Sequence, residues 1–130
     1  MKHRILVVED NAANCELLCD WLEAEGFETA CAGNLEQSFA AFKNQPPDVV
    51  LLDVQLGSED GLALAAWIRK EPTLQSIPVI AVTAHAMVTD QERVMQAGCH
   101  ACVSKPIDFK LLSEQLQRWL VYSVDMRSRS

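Results

Sequence analysis

Basic residues are scarce in this chain: 11 Lys and Arg stand against 18 Asp and Glu, a formal charge of −7 over 130 residues. A nucleic-acid backbone rewards clustered Lys and Arg, so no direct nucleic-acid partner is expected and a cation is the better counterpart. No apolar run approaches the roughly 20 residues that span a bilayer. Met1-Lys2-His3 leads straight into a short strand-like run and not into a signal peptide. A cytoplasmic protein without membrane attachment is the expectation. Cysteine is sparse and odd in number, at positions 15, 19, 31, 99 and 102. That excludes a secreted disulfide scaffold and predicts reduced thiols serving as small core residues. Internal repeats and low-complexity linkers are missing as well. With 49% apolar content, the chain has enough for one core and too little length for two ordinary domains.

What is present is a regular alternation. Arg4 to Val8 forms a β-branched run, as in a strand covered on both faces. Asn11 or Asp10 can cap a following helix, whose apolar positions include Leu17, Leu18, Trp21 and Leu22 and which stops at Gly26. Phe27 to Ala32 reads as a second strand. Asn34 with Gln37 forms a capping box for a helix to about Lys43, and Pro46-Pro47 breaks the chain before a third strand, Val49 to Asp53. The stretch LGSEDG reads as a loop, Leu62 to Lys70 as a helix and Pro78 to Val82 as a strand. Thr89 with Glu92 makes a second capping box for a helix ending at Gly98, Ala101 to Ser104 is a fifth strand, and Asp108 caps a last helix carrying Leu111, Leu112, Leu116, Trp119 and Leu120. Five strands alternating with five helices imply an α/β fold with a doubly wound parallel sheet, since parallel neighbours require right-handed crossovers. The last eight residues, SVDMRSRS, read as a frayed polar tail.

Open α/β sheets bind ligands beyond the carboxyl ends of their strands. Here the first strand ends in Glu9 and Asp10, the third in Asp53, the fourth in Thr83 and the fifth in Ser104 and Lys105. An ionised carboxylate at the end of a buried apolar strand is costly without partners, which marks Asp53 as the central residue. Three carboxylates gathered at one edge raise each other's pKa unless a cation joins them, and an oxygen-rich acidic site suits Mg²⁺. Lys105 supplies a fixed positive charge and Thr83 a hydroxyl donor. Together they suit a tetrahedral anion such as a phosphoryl group on Asp53, a carboxylate nucleophile. Each residue taken singly has a plainer reading, Asp10 as a helix cap, Thr83 as a strand-end hydroxyl and Lys105 as solvated surface. Their coincidence at the ends of different strands separates the two.

The ordered motifs VVEDN, LLDVQL with Gly61 eight residues after Asp53, VTAHAM and SKP resemble the receiver domain of two-component response regulators. The resemblance covers residues 4 to about 120, giving a receiver domain over 1–122 and a tail over 123–130. It implies a flavodoxin-like (βα)5 fold of sheet order 2-1-3-4-5, a cis Lys105-Pro106 bond, and phosphorylation of Asp53 by a sensor histidine kinase or phosphotransfer protein. It also implies Mg²⁺ held by Glu9, Asp10, Asp53 and the backbone carbonyl of Gln55, with Thr83 and Lys105 on the phosphoryl oxygens. No attached output domain is recognisable, so the output would pass by binding to another protein, unless the chain is part of a longer one. Two departures stand out. Gly57 replaces the usual proline four residues after the aspartate, predicting a looser loop, and Cys102 occupies the place of the aromatic residue that usually reports phosphorylation.

Competing readings are weaker on the residues. An aspartate-nucleophile phosphohydrolase needs a second Asp close after Asp53, where Val54-Gln55-Leu56 stands. A flavin module wants a Ser/Thr/Gly-rich first loop, and EDNAAN is acidic. A degenerate receiver that only docks partners is opposed by the intact acidic set. Cys99-His100-Ala101-Cys102 is half a zinc site without its second half, and buried cysteine is expected there. His85, two residues after Thr83, either flanks the site or is a solvated loop residue.

Overall fold

The computed structural model describes residues 2–84 and 88–128. In chain order the elements are β1 (Arg4–Val8), α1 (Ala12–Ala24), β2 (Glu28–Ala32), α2 (Leu35–Asn44), β3 (Val49–Asp53), β4 (Gln55–Leu56), β5 (Glu59–Asp60), α3 (Leu62–Lys70), β6 (Val79–Thr83), α4 (Val88–Gln96), β7 (Ala101–Ser104) and α5 (Phe109–Ser128). Five strands pair in parallel in the order β2-β1-β3-β6-β7. Counted along the main sheet this is the expected 2-1-3-4-5, the doubly wound flavodoxin-like arrangement.

Burial on both faces explains why the central strands are apolar throughout. Side chains alternate across a strand, so Ile5, Val7, Val49 and Leu51 meet Leu18 and Leu22 of α1 and Leu112 and Leu116 of α5. Leu6, Val8, Val50 and Leu52 meet Phe42 of α2, Leu64 and Ile68 of α3 and Val94 of α4 on the other side. Asn11 is the cap of α1 and accepts the Asn14 N–H at 3.0 Å. Asn34 Oδ1 accepts from Gln37 N at 2.8 Å, while Gln37 Oε1 accepts from Gly33 N at 2.7 Å, one residue earlier than a capping box reaches. Asp108 Oδ1 accepts from Lys110 N and Leu111 N at the start of α5. The Lys105-Pro106 bond is cis.

Several expectations are corrected. Leu17 is 59% exposed, because the buried stripe of α1 runs through Cys15, Leu18, Cys19 and Leu22 at i, i+3, i+4 and i+7. Leu111 likewise points outward. The segment LGSEDG is a two-strand hairpin, Gln55 opposite Asp60 and Leu56 opposite Glu59. Its turn places Gly57 at φ 62, a conformation glycine takes without strain and the proline usual at this place cannot take. Val88 and Thr89 are already helical in α4, so Thr89 does not cap it as expected; the Thr89 side chain and residue His85 lie outside the described residues. α5 continues past Tyr122 to Ser128 with Ser123 buried, so the segment expected as a frayed polar tail is helical as far as Ser128. Cys15 and Cys31 form a disulfide, against the expectation of reduced thiols, because α1 lies over β2 and brings its i, i+4 cysteines onto that strand.

Gly61 is where the hairpin returns to the sheet. Its N–H donates to the Val54 carbonyl at 2.8 Å, and a Cβ there would collide with the Asp53 carbonyl and stand 3.0 Å from the Val54 carbonyl. At Gly33 a Cβ would meet nothing closer than 3.5 Å. Gly61→Ala is therefore expected to lower stability by roughly 2 kcal/mol through a forced backbone shift. Gly33→Ala should be neutral or stabilising by up to about 1 kcal/mol, and urea titration of the two variants checks the contrast.

Candidate functional site

Strand register assembles the site. Val8 pairs with Leu52, Asp53 with Val82 and Thr83 with Ser104, so Glu9, Asp53, Thr83 and Lys105 leave neighbouring strands at nearly the same height. The order of the strands reverses between β1 and β3, which opens a crevice at that point. A cleft of about 330 Å³ occupies it, lined by Glu9, Asp10, Asp53, Gln55, Thr83 and Lys105 among others. The six residues expected from the sequence thus come together, and Asn11, Asn14 and Gly57 join them in the lining. Asn11 was legible only as a helix cap. Its backbone N–H also donates to Glu9 Oε1 at 3.1 Å and fixes that carboxylate.

Carboxylate oxygens of Glu9, Asp10 and Asp53 all lie within 4.8 Å of one another. Glu9 and Asp53 are buried, whereas Asp10 is exposed. Asp53 Oδ1 accepts the Gln55 N–H at 3.0 Å, and Asp53 Oδ2 receives the Lys105 ammonium at 3.0 Å. The same ammonium reaches Glu9 Oε2 at 3.5 Å. Lys105 therefore bridges the two buried carboxylates and favours Asp53. Burial pushes the Glu9 carboxyl above the ordinary glutamate range, with Asp53 adding to the rise, while the Asn11 N–H and Lys105 oppose it. For Lys105 the desolvation cost is outweighed by Asp53 and then Glu9, and its pKa is raised. Thr83 is buried at the end of β6.

Cys102, on β7, packs against the core on the α2, α3 and α4 side, and its thiol is raised by burial and by Asp90. The neighbouring Cys99 is buried, with its thiol pushed up to about 12 by desolvation. His100 accepts the Val79 N–H on Nδ1 at 3.2 Å and packs edge-on against Trp119 and tilted against Tyr122. The Cys99-His100-Ala101-Cys102 run thus serves packing and strand pairing.

These features define a doubly wound α/β protein with an acid-and-lysine cleft at its switch point. The sequence profile of the response regulator receiver domain matches residues 5–117, and the chain belongs to that family, the phosphoacceptor switch of two-component signalling. It is 39% identical over 120 residues to the polar-differentiation response regulator DivK of Brucella anthropi, covering 92% of this chain and 98% of that one. The receiver domain of a signal transduction histidine kinase from Syntrophus aciditrophicus superposes with a TM-score of 0.84 at 30% identity, over 92% of this chain and 90% of that one. NtrX from Brucella abortus gives a TM-score of 0.86 at 29% identity; 98% of this chain is covered, but it spans only 28% of the NtrX chain. No helix among the described residues is long and apolar enough to cross a membrane.

Removing the bridging cation tests the electrostatics. Lys105→Met leaves two buried carboxylates facing each other and is expected to cost roughly 3 kcal/mol at neutral pH. Adding Glu9→Gln should recover part of the loss, read by urea titration; no recovery would set carboxylate repulsion aside. The sign with pH follows from Glu9. Its folded carboxyl holds a proton to higher pH than the unfolded one, so this contribution favours folding at low pH and is lost as pH rises through the folded value. Glu9→Gln should flatten that fall.

Proposed function

We propose that Asp53 accepts a phosphoryl group from a phosphohistidine on a sensor histidine kinase or phosphotransfer protein, in a Mg²⁺-dependent reaction. The reading is carried by the convergence of Glu9, Asp10 and Asp53 within 4.8 Å beside an ammonium 3.0 Å from Asp53. Three carboxylates opening on a polar cleft fit a hard, oxygen-seeking cation. The proposed ligands are Glu9, Asp10, Asp53 and the Gln55 backbone carbonyl. When bound, Mg²⁺ supplies positive charge against the carboxylates and the incoming phosphoryl oxygens.

In the transfer a carboxylate oxygen of Asp53 attacks phosphorus, the phosphorus–nitrogen bond breaks, and the donor imidazole leaves with the bonding pair and takes up a proton. Lys105, paired with Asp53 before the reaction, turns to a phosphoryl oxygen as charge shifts there. The Thr83 hydroxyl donates to another, which draws the end of β6 toward the site. In this reading the chain catalyses only its own phosphorylation and slow dephosphorylation. It works in the cytoplasm without contacting nucleic acid, and its output passes by binding an output protein. The family's aromatic reporter is absent at Cys102, so the readout rests on Thr83.

Mass spectrometry after incubation with acetyl phosphate and Mg²⁺ is expected to find one added phosphoryl group in the wild type and none in Asp53→Asn. Thr83→Ala should still be phosphorylated but lose most of the conformational response to beryllofluoride, while Cys102→Ala keeps it. Hydrogen exchange reads the difference, and a large effect of Cys102→Ala would reverse the ranking. Mg²⁺ alone should stabilise the fold. At ten times Kd the gain is about 1.4 kcal/mol, a shift of a few degrees. A midpoint that responds to Mg²⁺ no more than to NaCl of equal ionic strength would remove the metal site from this reading.

A further inference from the structure

Away from the acidic cleft, Cys15, Cys19 and Cys31 form a second cluster among the described residues, with their sulfurs within 4.8 Å of one another. Cys15 and Cys19 share a face of α1 at i, i+4, and Cys31 lies on β2, an edge strand of the sheet. Cys15 and Cys31 are bonded, and the Cys19 sulfur stands 2.8 Å from that of Cys31. Cys31 is exposed; Cys15 and Cys19 are 7% and 8% exposed. A static cross-link needs two sulfurs. The third is in contact with the bonded sulfur that solvent can reach, close enough for thiol–disulfide exchange once the thiol turns into line with the bond. We propose that these cysteines form a reversible redox-modification site, with Cys31 as the entry sulfur and either helix cysteine as its bonding partner.

The chemistry needs a peroxide as oxidant and a dithiol as reductant. Cys31 as thiolate attacks the peroxide O–O bond, becoming a sulfenic acid while an alkoxide or hydroxide leaves. The Cys15 thiolate then attacks the Cys31 sulfur and displaces hydroxide. Two thiols have lost two electrons and two protons, and the peroxide has become an alcohol, or water, plus water. In reduction one thiol of the reagent attacks Cys31, the Cys31–Cys15 bond breaks and Cys15 leaves as thiolate. The second reagent thiol resolves the mixed disulfide and ends oxidised. Within the chain, Cys19 attacks Cys31 and Cys15 leaves, taking up a proton, with no net change in oxidation. Burial raises the Cys19 thiol, with Glu23 and Asp20 adding to the rise against a hydrogen bond from Thr29. Cys31, open to solvent, is therefore where external reagents enter.

The bond joins two segments beside the acidic cleft. Cys31 precedes Ala32, whose carbonyl accepts the Glu9 N–H at 2.9 Å, and the Cys15 N–H donates to the Asn11 carbonyl at 3.0 Å. Opening the cross-link releases β2 and the first turn of α1 from each other while leaving the carboxylates in place.

Non-reducing peptide mapping of the whole chain, after hydrogen peroxide or after dithiothreitol, tests the inference. The oxidised wild type should carry the Cys15–Cys31 bond and three titratable thiols of its five cysteines, and the reduced form five. Cys15→Ser should bond Cys19 to Cys31, and Cys31→Ser should form no bond between Cys15 and Cys19. Reduction of the wild type, which involves no substitution, should lower the melting midpoint by several degrees, since the bond closes a loop of sequence separation 16. Five free thiols after peroxide, no bond in a folded Cys15→Ser, or a Cys15–Cys19 bond in Cys31→Ser would each overturn it.

Discussion

A single ammonium group holds the functional edge of this protein together. Glu9 and Asp53 are both buried at the carboxyl ends of adjacent strands, where two negative charges would repel and neither could regain its water. Lys105 lies between them at 3.5 and 3.0 Å. It arrives from the far side of the switch point, directly after the strand next to β6, so the site closes only if β1, β3, β6 and β7 are all in register. The same charge that makes the metal-free fold tolerable stands where a transferred phosphoryl group would need a partner. Stability and the proposed chemistry therefore draw on one contact.

The rest of the chain keeps that contact in place. Parallel pairing of β1, β3, β6 and β7, with each strand wedged between two apolar cores, sets the height of each strand end. The hairpin after β3 and the close packing of Gly61 against the Asp53 carbonyl hold the acidic residue from the other direction. Asn11 caps α1 and fixes Glu9 in the same turn, so the helix start and one carboxylate are set by one residue. Cysteines join the other end of this region, with the Cys15–Cys31 bond one residue from the Ala32 carbonyl that receives the Glu9 N–H.

Cys102 separates this receiver from the pattern the family resemblance implies. It is a half-buried thiol packed toward the core, without a ring that could turn between two positions. The cleft and the β7 side are linked by the backbones of β6 and β7, paired from Ile80–Ala101 to Thr83–Ser104, and by the Lys105 N–H that donates to the Thr83 carbonyl at 2.8 Å.

The sequence by itself determined the alternation of strands and helices, the ends of β3 and α3, the caps at Asn34 and Asp108 and the set of residues that would share one edge. These follow from local physics: apolar runs bounded by Pro and Gly, hydroxyl or amide caps, and carboxylates that cannot sit singly at a buried strand end. Tertiary structure decided what depends on neighbours distant in the chain. It turned Leu17 outward, because the stripe of α1 that faces the sheet, with the expected core residues Cys15 and Cys19 in it, is set by how the helix lies on β1 and β2. The polar segment after Tyr122 is helical to Ser128, with Ser123 buried, which its composition does not reveal. Lys105 Nζ came to stand 3.0 Å from Asp53 and 3.5 Å from Glu9, and burial left Glu9 with a raised pKa, because the packing of the strand ends, and no motif, sets how deep each carboxylate lies.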